Sequence, residues 1–247
     1  MGYKAYTLLG DLMKKCNFLT RNLIAHRGYH DIKKEIPENS LQAFKRAILY
    51  NYLIEFDIHL TKDNKLVVFH DENLKRMCGI DKNISDCTYD ELKKLYLLNT
   101  SSKIPLLKEV LDLVNNKVPI IIEIKGNNKY GVIEKYLVKL LDNYKGEYAV
   151  QSFNPLNILW FKLNRPNVIC GIIKLFYRKK DLKQLILKTL FLRADYIAKD
   201  VKFFSKKRRT NNKLIIGWTI RTKEEYDKYK YYYDNLICEN MDLYKDD

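Results

Sequence analysis

Strand-like runs alternate with helical patterns along nearly the whole chain, which restricts it to a mostly parallel sheet covered by helices. The runs are Leu23–Ala25, Leu53–Leu60, Leu66–Phe69, Pro119–Ile124, Ala149–Phe153, Val168–Lys174, Asp195–Ala198, Leu214–Ile220 and Leu236–Cys238. Most are separated by segments with apolar residues at helical spacing. Asn39-Ser40-Leu41-Gln42 reads as a capping box ahead of the stripe Leu41, Phe44 and Ile48, with Glu38 and Asn39 as loop and cap. Thr88 and Glu91 repeat that start signal. Pro105–Val114, Val132–Leu141 and Pro155–Leu163 are also helical, the last with Asn154 as cap and Pro155 at the first position.

Nine runs are one too many for an eight-stranded barrel, and a single connection accounts for the excess. Parallel neighbours need a crossover of roughly a dozen residues, yet only Thr61–Lys65 separates the second run from the third. Those two must form an antiparallel hairpin, with Asp63-Asn64 supplying the turn. The fold expected is α/β, a (β/α)8 TIM barrel with a β-hairpin excursion after strand 2 and a short insertion before strand 3. Residues 21–247 read as one domain and residues 1–20 as a helical N-terminal extension. If Asp63 and Asn64 are the two turn residues, Lys62 pairs with Lys65 and Asp57 lies opposite His70.

Two of these strands carry carboxylates among β-branched and aromatic residues. Alternation puts Glu55 and Asp57 on one strand face and Glu123 with Lys125 on another. Burying such carboxylates costs several kcal/mol unless something cationic compensates. If they converge, three carboxylates and a lysine suit a divalent cation with a phosphate on it. In barrels the chemistry sits where strands end and loops begin. Those ends carry His26-Arg27-Gly28, His70-Asp71, Gln151-Ser152-Phe153, Lys199-Asp200, Trp218-Thr219 and Glu239-Asn240.

Composition narrows the setting. No apolar run approaches the roughly 18 residues needed to span a bilayer. The first twenty residues lack the apolar core and cleavage site of a signal peptide. Five scattered cysteines make no disulfide framework, so a cytoplasmic location is expected. The net charge of +15 favours anionic partners. No motif interleaves basic and aromatic residues, so nucleic acid is not expected; a phosphate- or nucleic-acid-binding barrel is the non-enzyme alternative. Arg178-Lys179-Lys180, Lys206-Lys207-Arg208-Arg209 and the stripe Leu182, Leu185, Ile186 and Leu190 lie close together in sequence. The region Arg178–Arg209 reads as an ordinary barrel helix with basic flanks, or as a contact with an anionic membrane.

Leu23-Ile24-Ala25-His26-Arg27-Gly28 followed by Pro37-Glu38-Asn39-Ser40 resembles the opening signature of the glycerophosphodiester phosphodiesterase family. Glu55-Phe56-Asp57, Val68-Phe69-His70-Asp71-Glu72, Ile104-Pro105-Leu106-Leu107, Glu123-Ile124-Lys125, Gln151-Ser152-Phe153 and Trp218-Thr219 continue it in order. The resemblance implies one divalent cation, Ca²⁺ or Mg²⁺, held by Glu55, Asp57 and Glu123. It implies hydrolysis of a glycerophosphodiester to sn-glycerol 3-phosphate and an alcohol, with His26 and His70 as general acid and base. Arg27 and Lys125 would bind the phosphate, and Trp218 would pack against the glycerol; Asp71, Gln151, Ser152 and Phe153 would complete the site. Lysophospholipase D-type or cyclic-phosphate-forming activity is the enzymatic alternative. His30 and His59 are given no catalytic role. Two departures stand out: Cys238-Glu239-Asn240 occupies the place of a Thr-Asp pair, and the insertion between His70 and Pro105 is short.

Overall fold

A computed structural model describes residues 16–126, 129–174, 194–203 and 213–244. The expected helix over residues 1–20 and the basic region Arg178–Arg209 fall largely outside the described residues. Asn17–Thr20 is a turn of 3-10 helix.

Nine strands form: β1 (Ile24–His26), β2 (Leu53–Leu60), β3 (Leu66–Val68), β4 (Ile120–Ile124), β5 (Tyr148–Ser152), β6 (Ile169–Lys174), β7 (Tyr196–Asp200), β8 (Leu214–Ile220) and β9 (Asn235–Cys238). All except β3 pair in parallel with two neighbours, and β1 joins both β2 and β9, so eight strands close into a barrel. Helices Leu41–Leu49, Leu107–Val114, Val132–Leu141, Pro155–Asn164 and Lys223–Tyr229 lie between strands, as the alternation requires.

β3 is the antiparallel excursion, but its register differs by one residue from the simple turn count. Ile58 pairs with Val68 and Leu60 with Leu66, so Asp57 faces Phe69, whose amide donates to the Asp57 carbonyl at 3.0 Å. The turn has three residues rather than two. Thr61 and Lys65 close it, and Asn64 takes a left-handed conformation at φ 59°, a three-residue hairpin loop that asparagine tolerates. His70 therefore follows the hairpin as its first loop residue.

Strand alternation divides the apolar core in two. Phe56, Ile58, Ile120 and Ile122 point outward to pack beneath the helices. Ile24, Leu53, Ile121, Ala149, Tyr196, Ile216 and Ile237 fill the barrel interior, with Phe18 and Leu19 packed against them. Tyr196 lies so close over Gly171 that a Cβ there would sit 2.1 Å from its ring. This apolar filling leaves only the upper layer of the barrel for charge.

A third, smaller core belongs to the insertion. Val67, Phe69, Leu74, Met77, Ile84, Leu92, Leu97 and Ile104 pack together, with one-turn helices at Lys75–Cys78 and Tyr89–Leu92. Thr88 and Glu91 form the capping box their spacing predicts.

Candidate active site

Parallel register places the carboxylates. Asp57 on β2 pairs with Glu123 on β4, Glu123 pairs with Gln151 on β5, and Glu55 pairs with His26 on β1. All three carboxylates are buried, and one oxygen from each lies within 4.8 Å of the others.

Their partners are specific. Lys125 forms ion pairs with Glu123 Oε1 and, at 3.2 Å, with Asp57 Oδ1. Arg27 Nε lies 3.5 Å from Asp57 Oδ2. Glu55 receives the Gln151 amide at 3.2 Å and the Arg27 backbone N–H at 3.3 Å. The Tyr196 hydroxyl donates to the Gln151 carbonyl oxygen, turning its amide nitrogen toward Glu55. Burial, then repulsion from Asp57 and Glu123, drives the Glu55 carboxyl well above its ordinary value. Burial raises Glu123 to about 7 against the pull of Lys125. Asp57 is held low despite burial because Lys125, His70 and Arg27 surround it. Three carboxylates thus face two cationic side chains. An all-oxygen donor set in which two carboxyls hold their protons for want of a further cation fits a hard divalent cation.

A histidine stands on each side, and both follow one pattern. His26 Nδ1 bonds Glu239 Oε1 at 2.7 Å, while its Nε2 lies 4.0 Å from Glu55. Arg221 Nε anchors Glu239 at 3.0 Å. His70 Nδ1 bonds Asp71 Oδ1 at 2.6 Å, and Arg76 anchors Asp71. Both imidazoles are lowered by burial, His26 to about 4. Glu239 is pulled to about 2, because its bond to His26 and the nearby Arg221 outweigh burial.

Some expected residues stand apart. The Ser152 hydroxyl donates to the Ile124 carbonyl and accepts from Asn154 and Asn157, so the structure does not bring it to the carboxylates. Phe153 meets Trp218 edge-on at 5.8 Å between centroids, with Lys125 Nζ 5.7 Å from the Phe153 ring. The Trp218 indole N–H is buried without a hydrogen-bond partner.

The reading of Glu38 and Asn39 as loop and cap needs correction. Ser40 alone caps helix Leu41–Leu49, accepting from the Ala43 amide. The Asn39 side chain donates to Asp57 at 3.0 Å, and Glu38 accepts from Arg27 and Arg76. Left-handed backbone at Asn39, φ 55°, turns it inward. Arg76 and Arg221 are absent from the sequence reading. Glu239, named at the end of the last strand but given no role there, proves to be the partner of His26. His59, dismissed as a catalytic group, bonds the His70 carbonyl at 3.1 Å.

A family model described as the glycerophosphoryl diester phosphodiesterase family matches residues 26–242. The chain belongs to this family. The glycerophosphodiester phosphodiesterase of Caldanaerobacter subterraneus is 32% identical over 223 residues, covering 83% of this chain and 88% of that protein. Human lysophospholipase D GDPD1 is 40% identical over 156 residues, 58% of this chain. That match spans about half of the human protein's length, 48%. Among solved structures, the glycerophosphodiester phosphodiesterase of Thermotoga maritima has a TM-score of 0.74 at 26% identity, covering 91% of this chain and 97% of that one. An Oleispira antarctica phosphodiesterase solved with sn-glycerol-3-phosphate shares the fold at TM-score 0.77 and 20% identity, covering 89% and 93%. Among the described residues no helix is long and apolar enough to cross a membrane.

Proposed function

We propose that this chain hydrolyses glycerophosphodiesters to sn-glycerol 3-phosphate and an alcohol. The observation that carries the reading is the buried Glu55, Asp57 and Glu123 cluster flanked by two carboxylate-backed histidines. Family membership and the Caldanaerobacter relative support the same activity.

Arg27 and Lys125 bind the non-bridging phosphate oxygens, to which both can donate. The carboxylate on each Nδ1 favours the tautomer with that nitrogen protonated, leaving Nε2 for the substrate. One imidazole takes the proton of the attacking hydroxyl, and the other gives a proton to the departing alcohol oxygen as its bond to phosphorus breaks. A hydroxyl of the substrate's own glycerol attacks first, and water then opens the cyclic phosphate. A divalent cation held by Glu55, Asp57 and Glu123, Ca²⁺ or Mg²⁺, supplies charge stabilisation for the pentacoordinate transition state. Trp218 and Phe153 form an apolar wall beside Lys125 for the glycerol.

The test is release of glycerol 3-phosphate from glycerophosphocholine or glycerophosphoethanolamine with each metal. A folded sample that turns over no glycerophosphodiester and no lysophospholipid with either cation refutes the reading. Phosphorus NMR of the products separates hydrolysis from arrest at a cyclic phosphate.

The human relative supports lysophospholipids as a second substrate class, and the basic runs between Arg178 and Arg209 support an anionic membrane as the place to meet them. Lysophosphatidylcholine in phosphatidylglycerol vesicles and in neutral vesicles tests both. No turnover removes the substrate class, and equal turnover in the two removes the membrane contact.

A further inference from the structure

Arg76 sits in the one-turn helix Lys75–Cys78 of the insertion, outside the barrel, and all four of its side-chain hydrogen bonds go to residues that hold the site. Its Nε and Nη2 reach Asp71 at 2.6 and 3.1 Å. Its Nη1 and Nη2 reach Glu38 at 3.1 and 2.7 Å. Asp71 in turn holds His70 Nδ1, and Glu38 holds Arg27 Nη1 at 2.8 Å. One guanidinium therefore links a histidine and an arginine of the site through two carboxylates.

The geometry points to Arg76 as a positioning residue that fixes His70 and Arg27 relative to each other, a role that rests on the phosphodiesterase reading above. An exposed ion pair is worth little as a stabilising contact, and Arg76 is 46% exposed. The planar fork makes it more than a charge. Lysine has no rigid geometry with which to grip two carboxylates at once. Without the guanidinium, Glu38 and Asp71 face each other as like charges. They part, and the His70 ring, itself 30% exposed, loses its fixed direction. Glu55, Asp57 and Glu123 share no hydrogen bond or ion pair with Arg76 and meet it only through Arg27, so cation affinity should change far less than turnover.

The experiment compares the parent with Arg76→Ala and Arg76→Lys by steady-state kinetics, metal titration and nitrogen-15 NMR of the imidazoles, tractable with four histidines. Loss of a supporting outer contact typically costs about 10- to 100-fold in activity. That loss is expected in kcat for Arg76→Ala, with cation affinity changing far less and the His70 signals shifting from a fixed Nδ1–H tautomer to an averaged pattern. Because the side chain is half exposed, added guanidinium ion should restore both readouts, and Arg76→Lys should restore less than guanidinium does. The proposal is overturned if kcat is retained, if kcat falls while the His70 signals stay fixed, or if guanidinium rescues neither. The NMR arm needs no turnover. A parent inactive on every diester therefore refutes the phosphodiesterase reading, while the His70 signals still decide whether Arg76 positions that ring.

Discussion

At the scale of single residues, the two histidines are set apart from ordinary buried ones by what stands behind them. Glu239 gives His26 an acceptor at 2.7 Å and is itself fixed by Arg221. Glu239→Ala removes the acceptor and leaves the arginine unpaired, so kcat should fall about 10- to 100-fold while cation affinity holds. Steady-state kinetics beside a metal titration checks this, and unchanged kcat would remove Glu239 from the site. The sequence placed His26, Glu55, Asp57, His70 and Glu123 at one rim because strand alternation and strand ends follow from local pattern. It did not reveal Asn39, Glu38 or Arg76 as contacts. Their side chains reach the site through a left-handed backbone turn and a loop-borne helix, and neither leaves a period to read.

At the scale of elements, the insertion is a small folded unit leaning on β3. Ile84 is fully buried in its core. Ile84→Ala should cost about 2–5 kcal/mol locally and open the segment Phe69–Ile104 before the barrel. Native-state hydrogen exchange would show protection lost there and kept in β4–β8; uniform loss across the chain would contradict that separation. The hairpin beneath it shows where pattern reading stops. Its existence followed from a connection too short to cross over. Its register did not, because whether Asn64 takes φ 59° and adds a third turn residue is decided by Thr61 and Lys65 closing around it. That one residue is the difference between Asp57 facing His70 and facing Phe69.

At the scale of the whole molecule, the charge in the barrel mouth links stability to pH and to metal. The folded Glu123 carboxyl is raised to about 7 and Glu55 also lies above its ordinary value, both chiefly through burial. The unfolded chain releases these protons near pH 4.3, so the folded protein binds more protons across the window up to about 7. The contribution of these two carboxyls to stability without metal therefore falls as pH rises through that window, while the buried imidazoles, held below the ordinary histidine value, contribute with the opposite sign below about 6.5. A divalent cation held by Glu55, Asp57 and Glu123 would bind them ionised and should stabilise more at the upper end. Melting in chelator and in added Mg²⁺ or Ca²⁺, at about pH 5 and about pH 8, checks the sign. A cation-induced rise in Tm no larger at the higher pH would refute it. Closure of the barrel also has a consequence in time. β1 finds β9 as a neighbour, and His26 finds Glu239 from 213 positions away. On the ribosome, the first histidine emerges long before the carboxylate that orients it, and β1 waits with one edge unzipped. Turnover should therefore switch on only when the last strand docks, and two fragments cut between β8 and β9 should regain it only on reassociation.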